Sequence, residues 1–210
     1  MMSNFLIFGF VAYLLGSIPT SVWVGKRFFG LDVREYGSKN AGATNTFRVL
    51  GKKPGIAVLA VDILKGLLAV LLPQLFLNSE IQYNEIVNIK IIAAIFVILG
   101  HVFPLFAKFK GGKGVATSLG VIFALHPPAA FICLAIFLIV FLISHFVSLG
   151  AIVTAICFPI LIVFLFKESS ISLIVFAFVI GIAVVVTHKK NIKRLIDGCE
   201  NKMYLIKKKV

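Results

Sequence analysis

Charge is scarce in this sequence. Only 14% of its residues are Asp, Glu, Lys or Arg, against 60% hydrophobic, a balance that excludes an ordinary soluble domain. Between Gly114 and Lys167 lie 52 residues without one acidic or basic side chain. Cysteine is equally sparse. Cys133 and Cys157 sit in apolar runs and Cys199 in a basic tail, with no CxxC, so a disulfide framework is not expected. No group of side chains has metal-ligand spacing, and neither a metal nor a cofactor is implied. The ten-residue segments of alternating polarity that mark an outer-membrane barrel are missing too. No positive n-region precedes the first apolar run, whereas Lys26 and Arg27 follow it. That run is expected to be a retained span with its N-terminus outside, rather than a cleaved signal peptide.

What is present are long apolar runs. A hydrocarbon core of about 30 Å takes roughly 20 apolar residues per helix. Spans are expected near Asn4–Gly25, Gly55–Leu77, Ile86–Ala107 and Ile171–Thr187, and the uncharged stretch divides at His126-Pro127-Pro128 and at Ser144–Gly150. The reading is an all-α integral membrane protein. It is a polytopic bundle of about seven transmembrane helices forming one domain over residues 1–210. Val115–Leu125 is short for a span, so five full spans plus partial ones is the competing count. Placing the basic loops inside leaves only Lys90 and Lys167 near the other face, which puts the C-terminus in the cytoplasm.

All but Lys65, Lys90 and Lys167 of the 21 Lys and Arg residues fall in three islands, Lys26–Lys53, Lys108–Gly114 and His188–Val210. The net charge of +13 thus flanks spans and points to anionic lipid headgroups and phosphorylated substrates, not to nucleic acid. The first island holds Gly37-Ser38-Lys39-Asn40-Ala41-Gly42-Ala43-Thr44-Asn45, followed by Arg48. A helix there would place Thr44 and Arg48 on one face, a hydroxyl and a guanidinium suited to phosphate. The second, Lys108-Phe109-Lys110-Gly111-Gly112-Lys113-Gly114, feeds a predicted helix and is expected to offer free N–H groups to an anion. It is not a Walker loop, because Gly114 follows Lys113 where Ser or Thr would stand. In the third, His188 and Asn191 share a helical face, although a capping histidine and a lipid-facing basic tail would explain the same residues. Asp62 and Lys65, three apart inside a span, read as a mutual ion pair. No histidine begins an His-x4-Asp pattern, which argues against the soluble-type acyltransferase dyad.

Taken together, three segments resemble the bacterial acyl-phosphate:glycerol-3-phosphate acyltransferase family, the PlsY family. They are Gly37–Asn45 with Arg48, then Gly100-His101-Val102-Phe103-Pro104 with Phe109–Thr117, and His188–Leu195 with Gly198 and Glu200. The resemblance implies acyl transfer from a fatty acyl phosphate to the carbon-1 hydroxyl of glycerol 3-phosphate. The products are 1-acyl-glycerol 3-phosphate and phosphate, a step of phospholipid biosynthesis. It implies catalytic roles for Ser38, Arg48, Lys113 and His188. Thr44, Asn45, Gly111, Gly112, Gly114, Ser148 and Asn191 are expected to bind substrate, and Glu200 to be structural. The implied partners are acyl phosphate, glycerol 3-phosphate, membrane lipids and the enzyme that produces the acyl phosphate. The implied place is the bacterial inner membrane, with the site on its cytoplasmic side. Two positions depart from the family pattern: Lys39 stands where Gly is frequent, and His145-Phe146 precedes Val147-Ser148. The hydroxyl proton has two candidate acceptors, His188 and the substrate's own phosphate. A transporter or exchanger of phosphorylated solutes is the alternative class, but it would place its site near the midplane, often with internal repeats.

Overall fold

The computed structural model of the chain describes residues 2–77 and 82–204. The end of the third island, residues 205–210, and Met1 lie outside the described residues. Ten α-helices run through them and no strand does: α1 Met2–Gly16, α2 Thr20–Phe29, α3 Ala43–Leu50, α4 Lys52–Phe76, α5 Tyr83–Val102, α6 Val115–Leu125, α7 Pro127–Ser144, α8 Val147–Ile160, α9 Ile171–Thr187 and α10 Lys189–Ile196. Five segments are long and apolar enough to cross a membrane, with α1 and α2 counted as one broken span. The pair α9 and α10, bent by 58°, makes a sixth. The seventh expected crossing is α6. Its 11 residues extend only about 16 Å, half the hydrocarbon thickness.

The first span was expected to run unbroken through Gly25. It stops instead at Ser17-Ile18-Pro19, where proline supplies no N–H to the helix ladder. The other sequence signals fall where expected: the chain leaves helix at His126, ahead of the Pro127-Pro128 pair, and again at His145-Phe146. His145 takes a left-handed φ of 62° at the second break.

The described residues fall into two compact units that meet in the sequence between Pro127 and Pro128. In the first, α1 packs on α5 and α4 on α6, and both contacts are made through glycine. A Cβ on Gly16 would overlap the carbonyl of Val97, and one on Gly100 that of Tyr13. Gly66 meets the carbonyl of Thr117, and Gly120 that of Ile63, with the same consequence. Small residues that let backbones touch are what joins helices where lipid removes the hydrophobic drive. In the second unit α8 packs on α9. Pro159 inside α8 cannot donate to the Ala155 carbonyl, and that freed oxygen lies against Gly181 of α9, 2.7 Å from where a Cβ would stand. Pro159 also precedes a π-helical turn at Leu161–Leu165, where the ladder bonds span one residue more than in an α-helix.

Candidate functional site

The first island is built around Asn45. This residue lies at the start of α3 and is 1% exposed. Its amide nitrogen donates to the carbonyls of Val33 at 2.7 Å and Tyr36 at 3.2 Å, and its Oδ1 accepts the Ser38 N–H at 2.8 Å. Both amide hydrogens are thereby used inside the loop. Asn45 reaches the site through Ser38, whose backbone it holds. Thr44 and Arg48 lie on α3 as expected, both part-buried. Lys39 has φ 58° and Gly37 has the same value. The turn therefore uses the left-handed region twice, and at Lys39 a Cβ carries the strain that glycine would avoid.

Arg34 ties this island to the next. Its guanidinium grips Asp32 at 2.9 Å (Nε to Oδ1) and 2.7 Å (Nη2 to Oδ2), while Nη1 donates to the carbonyls of Ala107 at 2.9 Å and Lys110 at 3.2 Å. Lys26 adds a weaker ion pair to Asp32 at 3.4 Å. The Arg34 hydrogen bonds hold the Asp32 carboxyl well below the usual carboxylate range, overcoming the upward push of burial. Asp32 in turn raises the pKa of Arg34. Neither residue stands out in the sequence. An acid and a base two apart next to a short turn is too common a pattern to mark this fastening.

The glycines of the second island do something other than expected. Gly111 N–H donates to the Val102 carbonyl and Gly112 N–H to the His101 carbonyl, each at 3.1 Å. Their amides close the turn back on the end of α5, so they are not free donors for an anion. Glycine is required for space instead: a Cβ on Gly111 would overlap the His101 carbonyl, and one on Gly112 the His101 ring. Gly114, with φ 83°, then turns the chain into α6, leaving the part-buried Lys113 between the turn and the helix start.

The third island belongs to the second unit. His188 ends α9 and opens α10, and its ring is buried. Nδ1 lies 2.7 Å from the Val184 carbonyl. A carbonyl only accepts, so Nδ1 carries the hydrogen and the neutral ring keeps its lone pair on Nε2. Glu200 is the hub of this unit. Its Oε1 accepts from Ser148 Oγ at 3.0 Å and Asn191 Nδ2 at 2.7 Å, and its Oε2 from Arg194 Nε at 2.6 Å. Burial pushes the Glu200 carboxyl up, but these three hydrogen bonds win and hold it below its ordinary value. Gly198, at φ 68°, lets the chain fold back after α10 so that Glu200 reaches Asn191 and Ser148. The return is pinned further on by the Met203 N–H on the His145 carbonyl at 2.8 Å and by the His145 and Tyr204 rings, 4.7 Å apart.

Residues 6–198 match the family model described as glycerol-3-phosphate acyltransferase. The chain belongs to that family. It is 46% identical over 198 residues to a glycerol-3-phosphate acyltransferase of Fusobacterium nucleatum subsp. nucleatum, covering 94% of this chain and 97% of that one. A second acyltransferase of that name, from Chlorobaculum tepidum, is 40% identical, with 96% and 97% covered. Among solved structures, the chain resembles PlsY (YgiH), described as an integral membrane glycerol 3-phosphate acyltransferase, in its glycerol 3-phosphate form. The TM-score is 0.84 at 35% identity, with 95% of this chain and 96% of that one covered. The lysophosphatidic acid form of the same protein matches with a TM-score of 0.81. This glycerol-3-phosphate acyltransferase family member is thus an all-helical integral membrane protein, and among its described residues no group of His, Cys, Asp and Glu could hold a metal ion.

Proposed function

We propose that this acyltransferase takes its acyl group from a fatty acyl phosphate and delivers it to the carbon-1 hydroxyl of glycerol 3-phosphate. The hydroxyl oxygen attacks the carbonyl carbon of the mixed anhydride. The new ester bond forms, the bond from carbonyl carbon to phosphate oxygen breaks, and phosphate leaves with the electron pair. The products are 1-acyl-glycerol 3-phosphate and inorganic phosphate. An activated anhydride needs no covalent enzyme intermediate, and holding the alcohol against it supplies much of the acceleration. To this reaction we assign Ser38, Arg48 and Lys113 of the first unit and His188, Asn191 and Ser148 of the second, with Thr44 and Gly114 lining the phosphate sites. Asn45, Gly111 and Gly112 act through the backbone they hold, and Glu200 through Ser148 and Asn191. Arg48 and Lys113 would carry the phosphate charge, including the charge that develops on the departing group.

The observation that carries this reading is the fastening of the first two islands by Arg34, through Asp32 on one side and the carbonyls of Ala107 and Lys110 on the other. Two cationic segments held together, the first also bearing the hydroxyls of Ser38 and Thr44, suit a reaction in which both substrates bear phosphate. For the proton we favour the substrate phosphate as acceptor. A backbone carbonyl orients His188, where a general base would more often lean on a carboxylate. The ring then serves as a hydrogen-bonding group for substrate.

The experiment is an assay of purified protein in detergent with glycerol 3-phosphate and either acyl phosphate or an acyl thioester. Acyl-glycerol phosphate is expected from the first donor alone. Product from the thioester alone would overturn the donor assignment, and no product from either would favour an exchanger, which needs two compartments to act.

We place the protein in the bacterial inner membrane with this chemistry on the cytoplasmic side and the N-terminus outside, and read residues 1–210 as one acyltransferase domain, since the family match runs across both units. Cysteines substituted at Lys39, Lys110 and Lys193, in a background without native Cys, are expected to react only with reagents that reach the inner face. Labelling of any one of them from outside would break the assignment.

A further inference from the structure

Three buried polar groups of the first unit have no part in the reaction as assigned above. Asp62 and Lys65 lie on α4 and His101 near the end of α5, with side chains 3%, 5% and 6% exposed. Ionisable groups inside a span are costly to keep and face the bundle interior. Here they converge. Lys65 Nζ stands 2.8 Å from Asp62 Oδ1 and donates at 3.1 Å to the Ile18 carbonyl, in the break between α1 and α2. From the other side of that break the Thr20 hydroxyl donates to the same Asp62 oxygen at 3.4 Å. His101 Nδ1 faces it from 3.7 Å, beyond hydrogen-bond length, across a cavity of about 10 Å³ that Gly111 and Gly112 also line. The buried Nδ1 has no hydrogen-bond partner among the described residues.

The other edge of the His101 ring is the floor of the glycine turn. Gly112 N–H donates to the His101 carbonyl at 3.1 Å, and Nε2 occupies the space that a Gly112 Cβ would need. The ring is thus held between a carboxylate and the turn that presents Lys113. We propose that Asp62, Lys65 and His101 form a buried platform that sets the Gly111–Lys113 turn for a substrate phosphate, with His101 as the positioning residue in contact with the turn. The inference rests on the reading that Lys113 of the second island carries a substrate phosphate, and takes that phosphate to be the one on glycerol 3-phosphate. It adds that the binding geometry is fixed from beneath, by groups that touch the turn and not the substrate. The same platform anchors the α1–α2 break, because Lys65 and Thr20 hold both of its sides.

A double-mutant cycle between His101 and Gly112 in the purified full-length protein tests this. Gly112→Ala drives a methyl group into the ring and is expected to raise the KM for glycerol 3-phosphate about thirtyfold, with kcat changed by less than about threefold. His101→Ala alone is expected to raise KM about tenfold, since the turn loses its support. In the His101→Ala background the methyl has room, and Gly112→Ala is expected to add less than about twofold. His101→Gln keeps a planar N–H donor toward Asp62 and is expected to return KM to within about threefold of the parent. Independent, multiplicative effects of the two substitutions would overturn the platform, as would losses confined to kcat or to thermal stability. Where His101→Ala does not yield monodisperse protein, His101→Asn closes the same cycle. Calorimetric binding of glycerol 3-phosphate alone keeps the platform separate from the reaction. A parent that binds it but does not react with acyl phosphate would sink the donor assignment and leave the coupling to be read in Kd. An equal Kd in all four proteins would sink the platform.

Discussion

Lys113→Ala and Arg48→Ala are each expected to lower kcat/KM for acyl transfer by about a hundredfold to a thousandfold, the scale of losing one preorganised charge on a developing anion. Both residues lie at the ends of elements, Arg48 in the last turn of α3 and Lys113 just ahead of α6, so neither substitution opens a packed span. The variants should elute and melt like the parent. Arg48→Lys separates charge from shape: an ammonium keeps the charge but not the two-pronged donor set, and an intermediate loss is expected. Ser38→Ala and His188→Ala should fall in the same direction by smaller factors. The measurement is steady-state kinetics at varied glycerol 3-phosphate with the donor saturating. Near-parental turnover in two or more of the four alanine variants would remove the proposed site.

Glu200→Ala is expected to weaken the second unit by roughly 3 kcal/mol, because three donors lose a charged acceptor at once, and to reach the chemistry only through Ser148 and Asn191. Ser148, Asn191 and Arg194 would be left facing one another without the carboxylate that draws them together. The same contacts predict a dependence on pH. A carboxyl depressed in the folded state contributes stability that is fully present above its unfolded pKa, about 4.3. That contribution is lost as pH falls through the lower folded value. Thermal unfolding of the parent and of Glu200→Gln should therefore differ most at neutral pH and converge below about pH 4. A constant gap down to pH 3 would show that the glutamate's charge is not what holds the unit.

Much of this architecture was legible because lipid makes strong demands on sequence. Uncharged runs, proline pairs and basic loops mark helices and their ends, and Ile171–Thr187 appears as a helix with those very limits. Val115–Leu125 was readable as short for the same reason. The break at Ser17–Pro19 was not foreseen, since one proline in an apolar run does not say whether a helix bends or stops. At the site, residue types pointed to the islands but not to the division of labour within them. Asn45 looks like a ligand group and is a loop clamp. Gly111 and Gly112 look like anion donors, yet they are small because His101 lies beneath them. Arg34 acts at long sequence separation, and both it and His101 work through backbone carbonyls that every residue possesses. No pattern of side chains can announce such contacts. Asp62 and Lys65 were correctly paired from their spacing, but their link to Ile18 and Thr20 needed the fold.

The seam between α4 and α6 sets an order of assembly. A helix of 11 residues is too short to be held in the bilayer by its own length, so it cannot wait there alone for a neighbour. What receives it is a surface already complete on α4, where Gly66 opens the way for the Thr117 carbonyl and Ile63 offers its own carbonyl to Gly120. Since α4 leaves the ribosome first, the docking template precedes the helix that needs it. A bulkier residue at Gly66 would therefore act during synthesis, leaving α6 and the basic turn ahead of it stranded at the membrane surface, open to proteolysis before any mature protein had formed.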